Sequence, residues 1–189
     1  QNLDTAIQAT PNLTNKTPQS VQAYEQAKAD AQAAVQAGQA IIVDLNASPE
    51  AVEAAKTRIT QAQAALKAAQ DNLRDKANKA GLQSALNALN TPISTVGKTP
   101  NSVSAFEKAQ AVDKATTDQA KAKAKAVIAD ENATEAQVAQ ALQAVRDAQT
   151  KVDTAKALLV NQADKSALGQ AKQNLDTAIQ ATPNLTNKT

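Results

Sequence analysis

The feature that most narrows what this chain can fold into is a stripe of apolar and small residues written twice. It reads Val52, Ala55, Ile59, Ala62, Leu66, Ala69 and Leu73, and returns 86 residues later as Val138, Ala141, Val145, Ala148, Val152, Ala155 and Leu159. Steps of three and four residues place such positions on one face of an α-helix, so each copy predicts a helix with a single buried seam. After the first copy the next large apolar residue, Leu82, stands nine positions beyond Leu73, and in the second copy Leu168 stands nine positions beyond Leu159. At about 100° per residue that step turns the seam by roughly 900°, which is half a revolution past two full turns. No proline intervenes and Gly81 is the one strong helix-weakening residue between the two seams. The spacing therefore predicts one long helix from Ser48 to Asn90, buried on opposite faces in two successive bundles, with Gly81 its weakest point. A second such helix is predicted from Thr134 to about Ala181.

The repetition extends further. The segment QNLDTAIQATPNLTNKT at residues 1–17 recurs unchanged at 173–189, a period of 172 residues. An identity of that length is the mark of a tandem array, and because the chain opens inside a patterned helix it is expected to be a piece of a longer protein. Within the period, Lys-Thr-Pro-Gln-Ser-Val-Gln-Ala-Tyr-Glu (16–25) parallels Lys-Thr-Pro-Asn-Ser-Val-Ser-Ala-Phe-Glu (98–107), and Asn-Ala-Ser (46–48) parallels Asn-Ala-Thr (132–134). Asn15, Gly97 and Asn187 precede the Lys-Thr step in turn. Asn and Gly share tolerance of positive φ, so a left-handed residue is predicted there.

Helix boundaries follow from capping chemistry. Thr17 and Thr99 are predicted N-caps with Pro18 and Pro100 at the first helical position; Ser48 with Pro49, and Thr134 with Gln137 as a capping box, restart the chain in the same way. The helix after Thr17 is expected to run to about Asp44 with Val21, Tyr24, Ala27, Ala31, Val35 and Ile42 buried, and the one after Thr99 to about Ala129. The fold class predicted is all-α: tandem three-helix bundles joined end to end by long shared helices into an elongated rod. The expected modules are residues 1–74, with a truncated first helix, residues 75–161, and residues 162–189 as the first helix and turn of an incomplete third. Leu73, Gly81, Leu82, Leu159 and Leu168 mark the junctions.

Composition sets limits on function. About a quarter of the residues are alanine, with one Tyr and one Phe and no Cys, His, Met or Trp. Small side chains bury little area each, so stability has to come from many modest contacts along long helices. Thiol chemistry, imidazole catalysis and the common zinc sites are excluded, and no catalytic, metal or cofactor-binding residue is assigned. A net charge of +2 from scattered Lys and Asp/Glu is too balanced for a binder of nucleic acid, and no apolar run reaches membrane-spanning length. Tyr24 and Phe106 occupy equivalent seam positions and are assigned to the core. Lys121, Lys123 and Lys125 diverge around a helix and are assigned to a solvated face. Asn12, Asn15, Asn46 and Asn132 head Asn-x-Ser/Thr sequons, but the Ser/Thr positions suit turns and caps, and that reading is preferred.

On Lys-Thr-Pro-x-Ser-Val-x-Ala-Tyr/Phe-Glu, Asn-Ala-Ser/Thr-x-x-x-Val (46–52, 132–138) and Ala-Asp-Lys-Ser-Ala-Leu (163–168), the chain resembles the FIVAR family of repeats in Gram-positive bacterial surface proteins. More loosely, it is similar to three-helix repeats of giant staphylococcal matrix-binding proteins. The first module departs at the last motif, with Asn78-Lys79-Ala80-Gly81-Leu82. The resemblance implies a secreted, cell-wall-attached parent in which such repeats act as a stalk, or as weak multivalent modules for a host protein such as fibronectin, albumin or immunoglobulin. The expected partners are neighbouring repeats in a monomeric, non-enzymatic chain. With part of its first helix missing, the N-terminal bundle is expected to be the less stable of the two. Amide hydrogen exchange should show lower protection before residue 72 than after residue 80, and equal protection would contradict this.

Overall fold

The computed structural model describes residues 3–181. Those residues form seven helices and no β-strand: α1 (Leu3–Gln8), α2 (Pro18–Val43), α3 (Pro49–Asp71), α4 (Ala80–Leu89), α5 (Pro100–Ala129), α6 (Glu135–Lys156) and α7 (Ser166–Gln180). Helices α1, α2 and α3 pack together around Leu3, Tyr24, Ala31 and Leu66. Helices α4, α5 and α6 do the same around Leu82, Leu86, Leu89, Ala124, Ala141 and Val145. Helix α7 packs on no other helix among the described residues, and Leu168, Leu175 and Ile179 on it are exposed.

The seams behave as their spacing requires. Leu66 and Val145 are among the largest fully enclosed side chains, and Tyr24 and Phe106 are both buried. Burying one such aliphatic side chain is worth on the order of 2 kcal/mol, so a few large side chains anchor cores otherwise rich in alanine. The second bundle is the better closed: Val138 is 6% exposed where its counterpart Val52 is 41% exposed. The difference lies in cover. Helix α4 lays Leu82 and Leu86 over the second bundle along its length, whereas α1 covers the first with Leu3 and Ile7 near one end.

The shared helix is not formed. Residues 72–79 separate α3 from α4, and residues 157–165 separate α6 from α7. Two physical causes coincide in the first gap. Asn72, Asp75 and Asn78 are poor helix formers whose side chains compete for nearby backbone groups, and the backbone of Arg74 and Lys76 bonds to the turn before α2 instead of to its own helix. The nine-residue step from Leu73 to Leu82 is therefore a helix end, an extended link and a new helix. Gly81, expected to be the weak point, lies inside α4 with open space around it. The expected buried stripe of α2 also needs one correction. Ala31, Ala34 and Gly38 are buried, and the next step inward falls on half-buried Ile41, leaving Ile42 exposed.

Gly38 shows how closely α2 and α3 approach. A Cβ added there would stand 2.8 Å from Cδ1 of Ile59. The equivalent pair in the second bundle is Ala124 and Val145, both buried, which moves one carbon from the α3-type helix to its partner and keeps the total volume. Gly38→Ala alone should keep little of the roughly 1 kcal/mol of helix propensity it gains, because Ile59 is displaced. Combined with Ile59→Val the gain should survive, giving a favourable coupling of about 0.5–1 kcal/mol in a denaturation cycle. Simple additivity would contradict the packing argument.

Candidate functional site: the junction between bundles

The residues that converge most densely from separate parts of the chain are those of the link at 72–79. The turn before α2 places Asn15 at φ 66°, and the turn before α5 places Gly97 at φ 72°, the left-handed conformation anticipated from their types; Asn187 lies outside the described residues. This conformation turns the backbone of the Lys-Thr step toward the outgoing link. Thr17 N–H donates to Arg74 O at 2.8 Å and Lys76 N–H donates to Asn15 O at 2.8 Å. The pair forms one antiparallel bridge, supported by an ion pair between Lys16 and Asp75 at 2.9 Å. The second link repeats it: Thr99 N–H donates to Val160 O and Gln162 N–H to Gly97 O, each at 2.8 Å.

The cap residues take up different tasks from one another. Ser48 Oγ accepts from Ala51 N–H at 3.2 Å, and Thr134 with Gln137 forms a complete capping box. Thr17 and Thr99 stand at the N-cap position, with Pro18 and Pro100 following, yet neither side chain caps. Instead the Thr17 hydroxyl donates to Ser20 Oγ at 2.9 Å, and that oxygen also accepts from Arg74 N–H at 3.2 Å. A side chain committed to the link cannot also serve its own helix, so α2 needs another cap. It receives one from the far bundle: Gln19 N–H donates to Asn132 Oδ1 at 2.9 Å, across 113 residues of sequence.

From the other side the link grips the loop between α5 and α6. Ala77 is buried in the second core while Leu73 packs on the first. Asn78 Oδ1 accepts from Ala80 N–H at 3.0 Å and so starts α4, and Asn78 N–H donates to Glu135 Oε1 at 3.0 Å. The Lys79 ammonium bonds to Ile128 O and Asp130 O, carbonyls at the negative end of the α5 dipole. Lys76 pairs with Glu131 at 3.1 Å. In the second link Asp164 takes the place of Asn78 and accepts from the Ser166 hydroxyl and backbone N–H. Those two hydrogen bonds hold its carboxyl below the ordinary carboxylate value.

Among the described residues no group of metal-ligating side chains converges. An open cleft of about 520 Å³ lies between the α4–α5 connection and α5, with the Asp113–Lys151 ion pair on its wall. Lys121 reaches this cleft while Lys123 and Lys125 are exposed elsewhere, so the three do not converge. Of the sequon asparagines, Asn12 accepts from Thr14 N–H in a turn and Asn132 makes the cap described above.

Sequence reasoning passed over Ser20, Asn78, Lys79 and Asn132 as junction residues. Ser20 and Asn132 stood in the quoted motifs, but their partners lie 54 and 113 residues away, which no local pattern encodes. Asn78 carried a readable signal, an Asx residue two before the first helical residue. Lys79→Met should cost the second bundle, and Asn132→Ala through the lost α2 cap the first, about 1–2 kcal/mol each, and together they should free the two bundles to tumble separately in ¹⁵N relaxation. Unchanged common tumbling would show that these contacts do not fix the joint.

The family model described as FIVAR domain matches residues 1–67 and 78–153. The extracellular matrix-binding protein ebh of Staphylococcus aureus strain MRSA252 is 36% identical over 120 residues, 64% of this chain and 1% of the relative. EbhB of strain N315 is 33% identical over 114 residues, 60% of this chain and 3% of the relative. A solved chain from the characterisation of extracellular matrix binding protein (Embp)-mediated Staphylococcus epidermidis adherence to fibronectin superposes with a TM-score of 0.53 at 42% identity, covering 58% of this chain and 70% of that one. The chain thus spans 1% and 3% of the lengths of these two curated relatives.

Proposed function

Because this chain belongs to the FIVAR family, we propose that it is a non-enzymatic spacer repeat of a bacterial cell-wall-attached surface protein, holding successive bundles in line so that a binding domain is projected outward. The observation that carries this reading is the two-sided grip on residues 72–79: the link is bridged to the turn before α2 and also bonded to the α5–α6 loop. A plain tether between independent domains has no need of either set of contacts. We take residues 1–74 and 75–161 as successive modules, and 162–189 as the start of a third. The accessible surface supports an extended arrangement. It is 13283 Å², against roughly 8,600 Å² for a compact monomer of this mass.

A second reading has its own support. The relatives are extracellular matrix-binding proteins and the solved one was characterised for adherence to fibronectin, so the exposed helix faces would hold a matrix protein weakly and gain strength through many copies. Two measurements separate the readings. Small-angle scattering of a dilute sample should give the profile of an extended particle whose two bundles, each on the order of 40 Å long, lie end to end; a compact globular profile would overturn the spacer. Binding to immobilised fibronectin should be absent for the spacer, both with this chain and with a tandem dimer of it. Binding that strengthens steeply in the dimer would establish the second reading.

A further inference from the structure

The two bundles share a design but not a length. Helix α2 has 26 residues and α5 has 30, four more, whereas α3 has 23 and its counterpart α6 has 22. Tyr24 and Phe106 stand equally far from the prolines that open their helices, and Gly38 and Ala124 equally far from the helix ends. The extra residues therefore fall between Phe106 and Ala124. They add about one turn, roughly 6 Å of helix, with no matching length on α6. The facing wall is shortened instead. Leu89 and Ile93 repeat the spacing of Leu3 and Ile7, but Pro92 intervenes, and α4 ends at Leu89 where α1 continues to Gln8. The open cleft between α5 and the α4–α5 connection lies where these two changes meet.

The cleft carries its free charges at its two ends. Along its middle, Asp113 is held by Lys151 at 2.8 Å and Asp118 by Lys114 at 2.5 Å. Glu107 and Lys121 also line it, and among the described residues neither makes a hydrogen bond or ion pair. They stand fourteen residues apart on α5, about 21 Å along the axis and within about 40° around it. Leu89 and Val152 supply apolar lining between them. On the connection, the backbone N–H and C=O of Ile93 make no hydrogen bond among the described residues.

We propose that this cleft binds an extended peptide segment of a partner protein, with a basic and an acidic side chain about six positions apart. An extended chain rises about 3.3 Å per residue, so six steps cover about 20 Å, the separation of the two free charges. Side chains alternate along such a chain, so the first, third, fifth and seventh all face α5. The basic end meets Glu107 and the acidic end meets Lys121, while the two inner side chains lie on Leu89 and Val152. The peptide backbone pairs with Ile93, as an added strand pairs with a free edge. A lone ion or a small zwitterion cannot reach both free charges. Because α2 lacks the extra turn, the site belongs to one bundle of the two, and it is separate from the joint that holds the bundles in line.

Titration of the intact ¹⁵N-labelled chain with capped heptapeptides tests the proposal. The probes are Lys-Ser-Val-Ser-Val-Ser-Glu, its reverse Glu-Ser-Val-Ser-Val-Ser-Lys, and a neutral form with Gln at both ends. One of the two charged probes should give saturable shifts at the amides of Ile93, Thr117 and Lys121, and bind more tightly than its reverse and than the neutral form. Which one it is reports the direction of the bound chain. Glu107→Gln and Lys121→Gln should each weaken that probe roughly two- to fivefold, the range of an exposed ion pair. Glu107→Lys with Lys121→Glu should exchange the preference between the two charged probes, with helicity by circular dichroism unchanged because neither side chain is in the core. Absence of saturable binding at millimolar peptide, equal binding of all three probes, or an unchanged preference in the folded double variant would each overturn the proposal.

Discussion

The path of the chain from one bundle to the next is set first by two backbone hydrogen bonds, Thr17 N–H to Arg74 O and Lys76 N–H to Asn15 O. They join the segment entering α2 to the segment leaving α3, at the same end of the bundle. Once these are made, helix α3 cannot continue, because the groups that would extend it are occupied. Asn15 and Gly97 must take a positive φ to present their carbonyls, which accounts for the choice of Asn and Gly at one equivalent position. The link emerges in a fixed direction, and the next helix begins where Asn78 or Asp164 caps it.

The helices themselves were legible in the sequence because their signals are local. Pro18, Pro49 and Pro100 mark helix starts, Thr134 with Gln137 forms its box, and the three-four seam puts Leu66, Val145 and Ala148 inside. The junction was legible only as a place of change. Leu73 and Leu82 do belong to different cores, as a seam that switches faces implies, yet the same spacing fits a continuous helix and a broken one. What separates the alternatives is pairing with a turn nearly sixty positions earlier, and no property of residues 72–79 alone expresses it. Thr17 illustrates the same limit: it has the right residue type and dihedral angles for a cap, but its hydroxyl serves Ser20 and the link.

The two bundles solve one packing problem with different atoms. Gly38 lets Ile59 reach across the α2·α3 contact, while Ala124 meets the shorter Val145 in the other. Such exchanges keep volume constant in a core with few large side chains to absorb an error. They also account for a glycine buried deep in α2, where helix propensity alone argues against it.

The topology decides how load passes along such a chain. In the first bundle the chain arrives through α1, which runs toward the end where α2 begins, and leaves through the link at that same end. Tension therefore pulls α1 along α2 and α3 in shear, against the seats of Leu3 and Ile7, while the link hands the load to the next bundle through Ala77, Lys79 and the start of α4. A bridge of two hydrogen bonds can open and close without unfolding either core, whereas a shared helix could yield only by bending or breaking. Part of each grip is supplied by the adjoining bundle, since Asn132 of the second caps α2 of the first and Asn15 of the first holds Lys76 of the second. Each unit thus borrows stability from its neighbour, the nearest-neighbour coupling by which repeat arrays act as one body while their units remain separately folded.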